Sequence, residues 1–364
     1  MTGLIGDQNG TGQSGPFRPF PLRAHPPLAR ADEQTVTTAL ALIRARRAMA
    51  AAGFEPNIPI ERASSVTNEV WMTRDAVLRI NTQGDQRLRR EALVAAVLPE
   101  GIGYPHLIAY GGDLSSDWLV IERVPGRPLS RCWPVMPKAD RRDAVEQLGA
   151  RLRLLHSTRA PDLPPLRDQP HLLLPERRGS DAVAPLVAGL RRAAGLPRVD
   201  PRLMMDLEAM VEETAAAIEP FDAPTLVHSD LTFENVLWDP AQRRVTAILD
   251  FEWARCGPAD LDLDVLLRCV AYPKLHVAAD YEHLTKHEDY AEVPWWLSEA
   301  YPELFSFPRQ LDRVRIYAVA WDVRELLRFP PNCELGELHP AHPYHRLMRT
   351  INGTSYLDTM HQYI

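Results

Sequence analysis

The chain has 364 residues, of which 45% are apolar and 24% charged, and its formal charge is −7 at pH 7. This length allows two units that share a cleft, and the acidic balance argues against nucleic acid as a partner. The four cysteines lack the paired spacing of a zinc site and are too few for a disulfide scaffold, and no apolar run approaches the length of a membrane span.

The first 125 residues predict a leader and a β-rich unit. Residues 1–30 are Gly, Pro and polar residues without periodicity, which predicts a flexible leader rather than a signal peptide, and a cytoplasmic location. Residues 32–53 have helical spacing and stop at Gly53. The segment IPIERASSVTNEVWMTRDAVLRINT alternates and predicts two or three antiparallel strands, QRLRREALVAAVL predicts a helix, and HLIAYGGDLSSDWLVIERV predicts a strand pair.

Helical patterns dominate after PGRPL, residues 125–129. RRDAVEQLGARLRLLHS and RLMMDLEAMVEETAAAI predict amphipathic helices, whereas LVHSD and NVLWDPAQRRVTAILD predict short strands, the second a hairpin. The predicted fold is therefore α+β and bilobal. It has a leader (1–30), a small antiparallel β lobe with helices (31–125) and a larger, mainly α-helical lobe (126–364).

The stretch LVHSDLTFENVLWDP, residues 226–240, concentrates the polar chemistry. Asn235 precedes the first strand of the predicted hairpin and Asp250 ends the second, so the hairpin brings both to one end. Their oxygens suit Mg²⁺, while Asp230 lies in the preceding loop, where it can orient a hydroxyl. The order His228-Ser229-Asp230-Leu231…Asn235 followed by Asp250-Phe251 has the spacing of a phosphoryl-transfer catalytic loop. The alternative is that these groups only cap turns, and we expect Glu234 and Asp239 to face solvent or serve turns.

Together these motifs resemble the aminoglycoside phosphotransferase-like kinases of antibiotics and small molecules, which share the protein-kinase fold. The resemblance covers about residues 55–330 and is sharpest at VHSDLTFENVLWD, AILDFEWARCGPADLDLDVL and LGARLRLLHS. It implies Asp230 as catalytic base and Asn235 with Asp250 as Mg²⁺ ligands. It also implies His228 and Asp262 as structural supports of the loop.

The resemblance further implies that the β-rich lobe binds the nucleotide. Arg79, in the strand AVLRI, would contact the α/β-phosphates and Glu91 would pair with it; the alternative is an ordinary surface salt bridge. In LVIERVPG, the backbone from Glu122 to Val124 would face the purine, and Gly126 would allow a tight turn. The loop RASSVTNEV would cover the phosphates without any glycine, through the polar residues Ser64, Ser65, Thr67 and Asn68.

The acceptor is less determined by the sequence. Ser229 stands where a protein kinase has arginine and no A-P-E motif follows, which favours a small molecule. Residues 280–303 hold seven acidic residues against Lys286 and would attract a cationic antibiotic, or else form a solvated face. Trp295 and Trp296 would stack on the acceptor or belong to the core. The three histidines of HPAHPYH could hold zinc, although the prolines there favour turns.

These observations predict a Mg²⁺-dependent O-phosphotransferase. It would move the γ-phosphoryl group of ATP or GTP to a hydroxyl of an antibiotic of the aminoglycoside, cyclic peptide, macrolide or nucleoside type, and so give resistance. Its partners would be nucleotide and acceptor, with no nucleic acid and no membrane, in a monomer or homodimer. The alternatives are a metabolic kinase of an amino alcohol, sugar or nucleoside, a metal-dependent phosphohydrolase, and a non-catalytic nucleotide-binding scaffold.

Overall fold

The first sheet of the molecule has five strands among the residues that the computed structural model describes, which are 31–63, 65, 68–165, 172–174, 176–219 and 225–360. The strands are β1 (Glu61–Ala63), β2 (Glu69–Met72), β3 (Ala76–Asn81), β4 (Leu107–Gly112) and β5 (Asp117–Glu122). They are antiparallel throughout, in the order β1-β2-β3-β5-β4. The strands predicted from alternation, two or three in the first segment and a pair in the second, are therefore confirmed, and the first segment has three.

One helix covers each face of this sheet. Leu78 and Ile80 are buried against α1 (Ala31–Ala51). Because successive strand residues face opposite sides, Arg79 lies on the other face, where α2 (Arg87–Ala95) packs. Burying each such aliphatic side chain stabilises the fold by about 1.5–3 kcal/mol. The alternation of β3 thus fixes the sheet and at the same time directs one cation towards α2.

Two glycines end elements where the sequence predicts it. Gly53 follows α1 with φ +87°, and the N–H of Phe54 donates to the carbonyl of Met49 at 3.0 Å, so the last turn of the helix closes. Gly126 has φ +122°, and a Cβ there would lie 2.8 Å from Oγ1 of Thr246. A side chain at position 126 would therefore strain the backbone and collide with the neighbouring strand.

The predicted hairpin is confirmed. It consists of β8 (Val236–Asp239) and β9 (Arg244–Ile248), which pair antiparallel, and β6 (Arg127–Pro128) extends it to three strands. The N–H of Leu249 donates to the carbonyl of Asn235 at 2.8 Å, so the pairing continues beyond the hairpin. A separate short ladder joins β7 (Leu226–Val227) to β10 (Arg255–Cys256).

The rest of the described chain is mainly helical. Its largest apolar core includes the buried rings of Trp133, Phe233, Trp238 and Phe251, and Phe233 belongs to the segment 228–235. The helices are α3 (Leu129–Cys132), α4 (Lys138–His156), α5 (Gly179–Ala193), α6 (Pro201–Thr214), α7 (Asp260–Ala271), α8 (Val293–Ala300), α9 (Gln310–Arg328), α10 (Pro343–Ile351) and α11 (Tyr356–Met360). A small antiparallel sheet unit followed by a larger helical one confirms the predicted fold class.

Helix length and polarity bear on the membrane question. Within the described ranges, no helix is both long enough and apolar enough to cross a bilayer.

Candidate active site

Asp262, near the start of α7, holds the loop that the sequence predicts to be catalytic, residues 228–235. Its carboxylate accepts hydrogen bonds from the backbone N–H of His228 at 2.8 Å and of Ser229 at 2.7 Å, and it contacts Nε2 of His156 at 3.0 Å. All four residues are buried. Burial alone would raise the pKa of Asp262, but the hydrogen bond and charge of His156 and the contacts with His228 hold it below its usual value. The carboxylate therefore stays ionised and keeps its donors.

His228 connects the loop to the end of the hairpin. Its Nε2 lies 2.8 Å from the carbonyl oxygen of Leu249, and the N–H of Asp230 donates to its Nδ1 at 3.3 Å. Because a carbonyl only accepts and a backbone N–H only donates, the proton of the neutral ring is on Nε2. Burial lowers the pKa of His228 below 6.5, against the opposing effect of Asp262, so the ring is neutral at pH 7. Its partners require this neutral form.

Asn235 is oriented by the loop itself. Its Nδ2 donates to the carbonyl oxygen of Asp230 at 2.8 Å, which leaves the amide oxygen as the group suited to a hard cation. Asp250, at the end of the hairpin, has φ +67° and ψ +53°, and Ser229 has φ +67°. Left-handed backbone at non-glycine residues costs about 1–3 kcal/mol each, so it persists only where the surrounding contacts impose it. Here Asp262 and the hairpin supply those contacts.

Arg79 joins the sheet to the hairpin end. Its guanidinium donates to Glu91 at 2.6 Å, to Asp250 at 2.6 Å and to Glu252 at 3.0 Å. Burial works against the charge of Arg79, but these three carboxylates hold its pKa well above its usual value. Burial raises the pKa of Glu91 to about 7, even though Arg79 opposes this, and the hydroxyl of Tyr104 donates to Glu91 at 2.9 Å. The surface salt bridge considered as an alternative is excluded, because this pair is buried.

Glu252 is the residue of this cluster that the sequence reasoning missed. It follows Asp250 by two positions and is 1% exposed. Its carboxylate accepts from Nδ2 of Asn68 at 2.8 Å and from Nη1 of Arg87 at 2.9 Å, in addition to Arg79. Within the described part of the chain, the one set of three acidic, imidazole or thiol groups close enough to share an ion is Glu91, Asp250 and Glu252. The available signal was a second carboxylate beside Asp250 in LDFEW.

The other residues predicted to bind nucleotide are placed as follows. Asn68 is buried and bonded to Glu252, Ser65 is exposed, and Thr67 lies outside the described residues. Glu122 ends β5, and its backbone N–H donates to the carbonyl of His106 at 2.9 Å. Val124 is half-buried in the connection to β6. The structure thus brings Arg79, Glu91 and Asn68 to the cluster, and it places the segment 122–124 at the end of β5.

Glu234 does not fit its prediction. It is half-buried, Nε of Arg131 donates to its carboxylate at 2.8 Å, and the hydroxyl of Ser130 is also bonded to it. The expectation of a solvent-facing or turn residue is therefore wrong, because α3 supplies a cation that lies next to this position only in the folded chain. Asp239 does serve a turn, since it accepts from the N–H of Ala241 at 2.9 Å.

The acidic segment 280–303 is partly neutralised. Four of its seven carboxylates are paired with cations of α4, so the segment carries less unpaired negative charge than its composition suggests. These pairs are Asp289–Arg141, Glu292–Lys138, Glu299–Arg142 and Glu303–Arg153. Trp296 is buried, which places it in the core, whereas Trp295 is 41% exposed. In the histidine segment, Nδ1 of His342 accepts from the N–H of Tyr344 at the start of α10, an N-terminal helix cap.

The chain was compared with known proteins. Residues 58–296 match the model of the phosphotransferase enzyme family. The chain belongs to this family. Among curated relatives, an aminoglycoside 3'-phosphotransferase of Streptomyces fradiae is 32% identical over 179 residues, which are 46% of this chain and 58% of that protein. One of Streptomyces ribosidificus is 27% identical over 183 residues, 47% of this chain and 60% of that protein. The chain thus spans less than two thirds of the length of either relative.

Solved structures share the fold. A choline/ethanolamine kinase family protein from Mesorhizobium loti has a TM-score of 0.55 at 18% identity, over 88% of this chain and 98% of that one. A thermostable mutant of the aminoglycoside phosphotransferase APH(4)-Ia, solved with ADP and hygromycin B, has a TM-score of 0.51 at 15% identity, over 81% of this chain and 93% of that one. At these identities the likeness concerns the fold.

Proposed function

We propose that this protein is an O-phosphotransferase that moves the γ-phosphoryl group of ATP or GTP to a hydroxyl of a small molecule. The observation that carries the proposal is the convergence on Arg79. This guanidinium pairs with Glu91 of α2 and with Asp250 at the hairpin end, and the hairpin begins at Asn235, which is bonded to the backbone of Asp230. A cation next to the oxygen ligands, with a carboxylate in the adjoining loop, is the arrangement that phosphoryl transfer requires.

In this proposal Asp230 acts on the acceptor. It accepts the proton of the acceptor hydroxyl as that oxygen forms a bond to the γ-phosphorus, while the bond to the β–γ bridging oxygen breaks and the nucleoside diphosphate leaves. Such a base must be held in register with the phosphorus. The hydrogen bonds of Asp262 to the two residues before Asp230, and that of Asn235 to its carbonyl, are the contacts that would hold it.

The donor groups fit Mg²⁺. They comprise the amide oxygen of Asn235 and the carboxylate of Asp250, and ligand atoms of Glu91, Asp250 and Glu252 lie within 4.8 Å of one another. Hard oxygen donors of this kind suit a hard divalent cation. Asn235 and Asp250 would hold it, and when bound it would neutralise charge on the phosphates. Arg79 would add a fixed positive charge on the sheet side of the nucleotide.

We propose that residues 31–125 form the nucleotide-binding lobe and that residues 126–364 form the catalytic and acceptor-binding lobe. The segment Glu122 to Val124 at the end of β5 would bind the purine through its backbone. The contacts of Arg79 and Asn68 with Glu252 join these two parts of the chain at the proposed phosphate position.

We propose an antibiotic of the aminoglycoside class as the acceptor, and resistance by inactivation as the role. The two curated relatives, whose names denote aminoglycoside 3'-phosphotransferases, support this choice. The formal charge of −7 also favours a polycationic acceptor over a polyanionic one. Since four carboxylates of segment 280–303 are paired with cations of α4, contacts to the acceptor amines would come from carboxylates other than these four.

A nucleotide-consumption screen tests this function. Purified protein with Mg²⁺ is supplied with ATP or GTP and, separately, with aminoglycosides, cyclic peptides, macrolides, nucleosides, choline and ethanolamine. We expect acceptor-dependent release of diphosphate with an aminoglycoside and a product heavier by one phosphate in mass spectrometry. The Asp230→Ala variant is the matched control. Turnover with choline or a nucleoside alone would replace the antibiotic role by a metabolic one, and nucleotide hydrolysis without a phosphorylated product would contradict transfer.

A further inference from the structure

Glu252 connects the hairpin end to three separate elements of the sheet unit. Its Oε2 accepts from Asn68, which immediately precedes β2, and from Arg79 in the middle of β3, at 2.8 and 3.0 Å. Its Oε1 accepts from Arg87, the first residue of α2, at 2.9 Å. Both carboxylate oxygens therefore accept hydrogen bonds, two at Oε2 and one at Oε1. A single buried carboxylate thus contacts a loop, a strand and a helix that all precede residue 125.

One partner of Glu252 is itself restrained by further contacts. Arg87 also pairs with Asp85 at 2.7 Å and its guanidinium lies 5.1 Å from the ring centroid of Trp253, so these contacts fix its position. Burying an unpaired carboxylate would destabilise the fold by several kcal/mol, and Glu252 avoids this penalty because it is bonded to two guanidinium groups and an amide. The same network includes Glu91 and Asp250 through Arg79. Four carboxylates therefore share two guanidinium groups, and this excess of negative charge favours keeping every donor in place.

The strand pairing makes the connection specific. Val70 of β2 pairs with Arg79 of β3, so Asn68, the residue before β2, lies close to Arg79 on the neighbouring strand. The segment before β2 is the one that the family resemblance places over the phosphates, and it lacks the glycines with which such loops usually approach a nucleotide. The hydrogen bond from Asn68 to Glu252 fixes the side chain of the residue that ends this segment.

We infer that Glu252 is a positioning residue, which holds the side chain of Asn68 and the guanidinium of Arg79 in place for the nucleotide phosphates. This inference rests on the proposed phosphotransferase function. Glu252 acts through its two partners, so its loss changes how well the nucleotide is held more than how fast the held nucleotide reacts. The signature is therefore a raised KM and Kd for nucleotide, with coupling between positions 68 and 252.

A double-mutant cycle tests the inference. Affinity for AMP-PNP with Mg²⁺ is measured by calorimetry for wild type, Asn68→Ala, Glu252→Gln and the double variant. We expect each single change to weaken binding about tenfold, the size of one charge-assisted hydrogen bond, and the double variant to be no weaker than the weaker single. In turnover assays the KM for nucleotide should rise with kcat changed less than about threefold. Additive losses, or a fall in kcat at unchanged KM, would overturn the inference.

Two controls keep the result interpretable. Asp322→Asn alters another buried carboxylate, paired with Arg346 at 2.8 Å among the later helices, and should lower the Tm while leaving nucleotide affinity unchanged. Should Glu252→Gln not fold, Asn68→Ala carries the test, and unchanged nucleotide affinity in that variant overturns the inference. Wild-type protein that binds no AMP-PNP would contradict the proposed function and this inference with it, whereas an additive cycle in protein that binds nucleotide contradicts this inference alone.

Discussion

Replacing Asp262 by alanine removes the acceptor that holds the loop 228–235. Its carboxylate receives the N–H groups of His228 and Ser229 at 2.8 and 2.7 Å and contacts His156 at 3.0 Å, with all of these groups buried. In the alanine variant two backbone donors lose their partner away from solvent. Ser229 also loses the contact that stabilises its left-handed backbone at φ +67°.

The magnitude follows from those donors. An unsatisfied buried donor costs about 1–3 kcal/mol, so two of them, with the loss of the His156 contact, should lower the free energy of unfolding by about 4 kcal/mol. This is a large part of the roughly 5–15 kcal/mol by which proteins are usually stable. Asp262→Asn should fall between the alanine variant and wild type. It keeps one oxygen acceptor but turns an NH₂ group towards the other backbone N–H.

Urea unfolding followed by tryptophan fluorescence measures the effect, with the Tm as a second observable. The matched control is Asp75→Ala, since that carboxylate is 85% exposed and lies 3.7 Å from Arg74. We expect the control to stay within about 0.5 kcal/mol of wild type. An Asp262→Ala variant within about 1 kcal/mol of wild type would contradict this prediction, because it would mean that other contacts hold the loop.

Three further predictions concern the site. Asp250→Ala should abolish the part of ADP affinity that depends on Mg²⁺ while leaving the affinity in EDTA unchanged. Calorimetry with and without Mg²⁺ measures this difference, and a Mg²⁺ effect of wild-type size in the variant would show that Asp250 is not a metal ligand. Arg79→Met should weaken ADP binding about 10- to 100-fold, because it removes the cation that three carboxylates share at the proposed phosphate position. Arg79→Lys should recover part of the lost affinity. Equal affinities for ADP in these variants and wild type would contradict the role of Arg79 in binding the phosphates. Because the pKa of His228 is lowered in the folded state, only the unfolded state binds the extra proton just below pH 6.5. The free energy of unfolding should therefore fall as the pH is lowered from 6.5, by up to about 1.4 kcal/mol per pH unit. Urea titrations at pH 7.5, 6.5 and 5.5 measure this slope, and His228→Gln should remove the part that His228 contributes.

The strands and helices that carry the site residues could be predicted from the local periodicity of the sequence. The alternation of AVLRI places Arg79 opposite to Leu78 and Ile80, and the helical spacing of α2 then brings Glu91 to the same face. The hairpin between Asn235 and Asp250 is equally local, because its strands and turn lie within one short segment. Such short-range patterns are readable because each depends on neighbours within a few residues.

The partners of charged side chains are not readable in this way. Glu252 lies in the short helical turn Phe251–Trp253, which follows the left-handed backbone of Asp250, and its partners Asn68 and Arg79 are more than 170 positions away in the sequence. Glu234 meets Arg131 across 103 positions of sequence. Four of the seven carboxylates of segment 280–303 pair with cations of α4 that lie more than a hundred residues away in the sequence. A run of like charge therefore does not reveal which of its members have a partner in the folded chain.

The most direct test of the proposed function is the Asp230→Ala variant, measured for both nucleotide affinity and phosphoryl transfer. We predict that the Kd for Mg²⁺–AMP-PNP stays within about threefold of wild type, while transfer to the acceptor falls by about 10²–10⁴-fold, the usual contribution of a general base. The Tm of the variant is the control for folding. Transfer at the wild-type rate in a folded Asp230→Ala variant would contradict the assignment of this loop as the catalytic one.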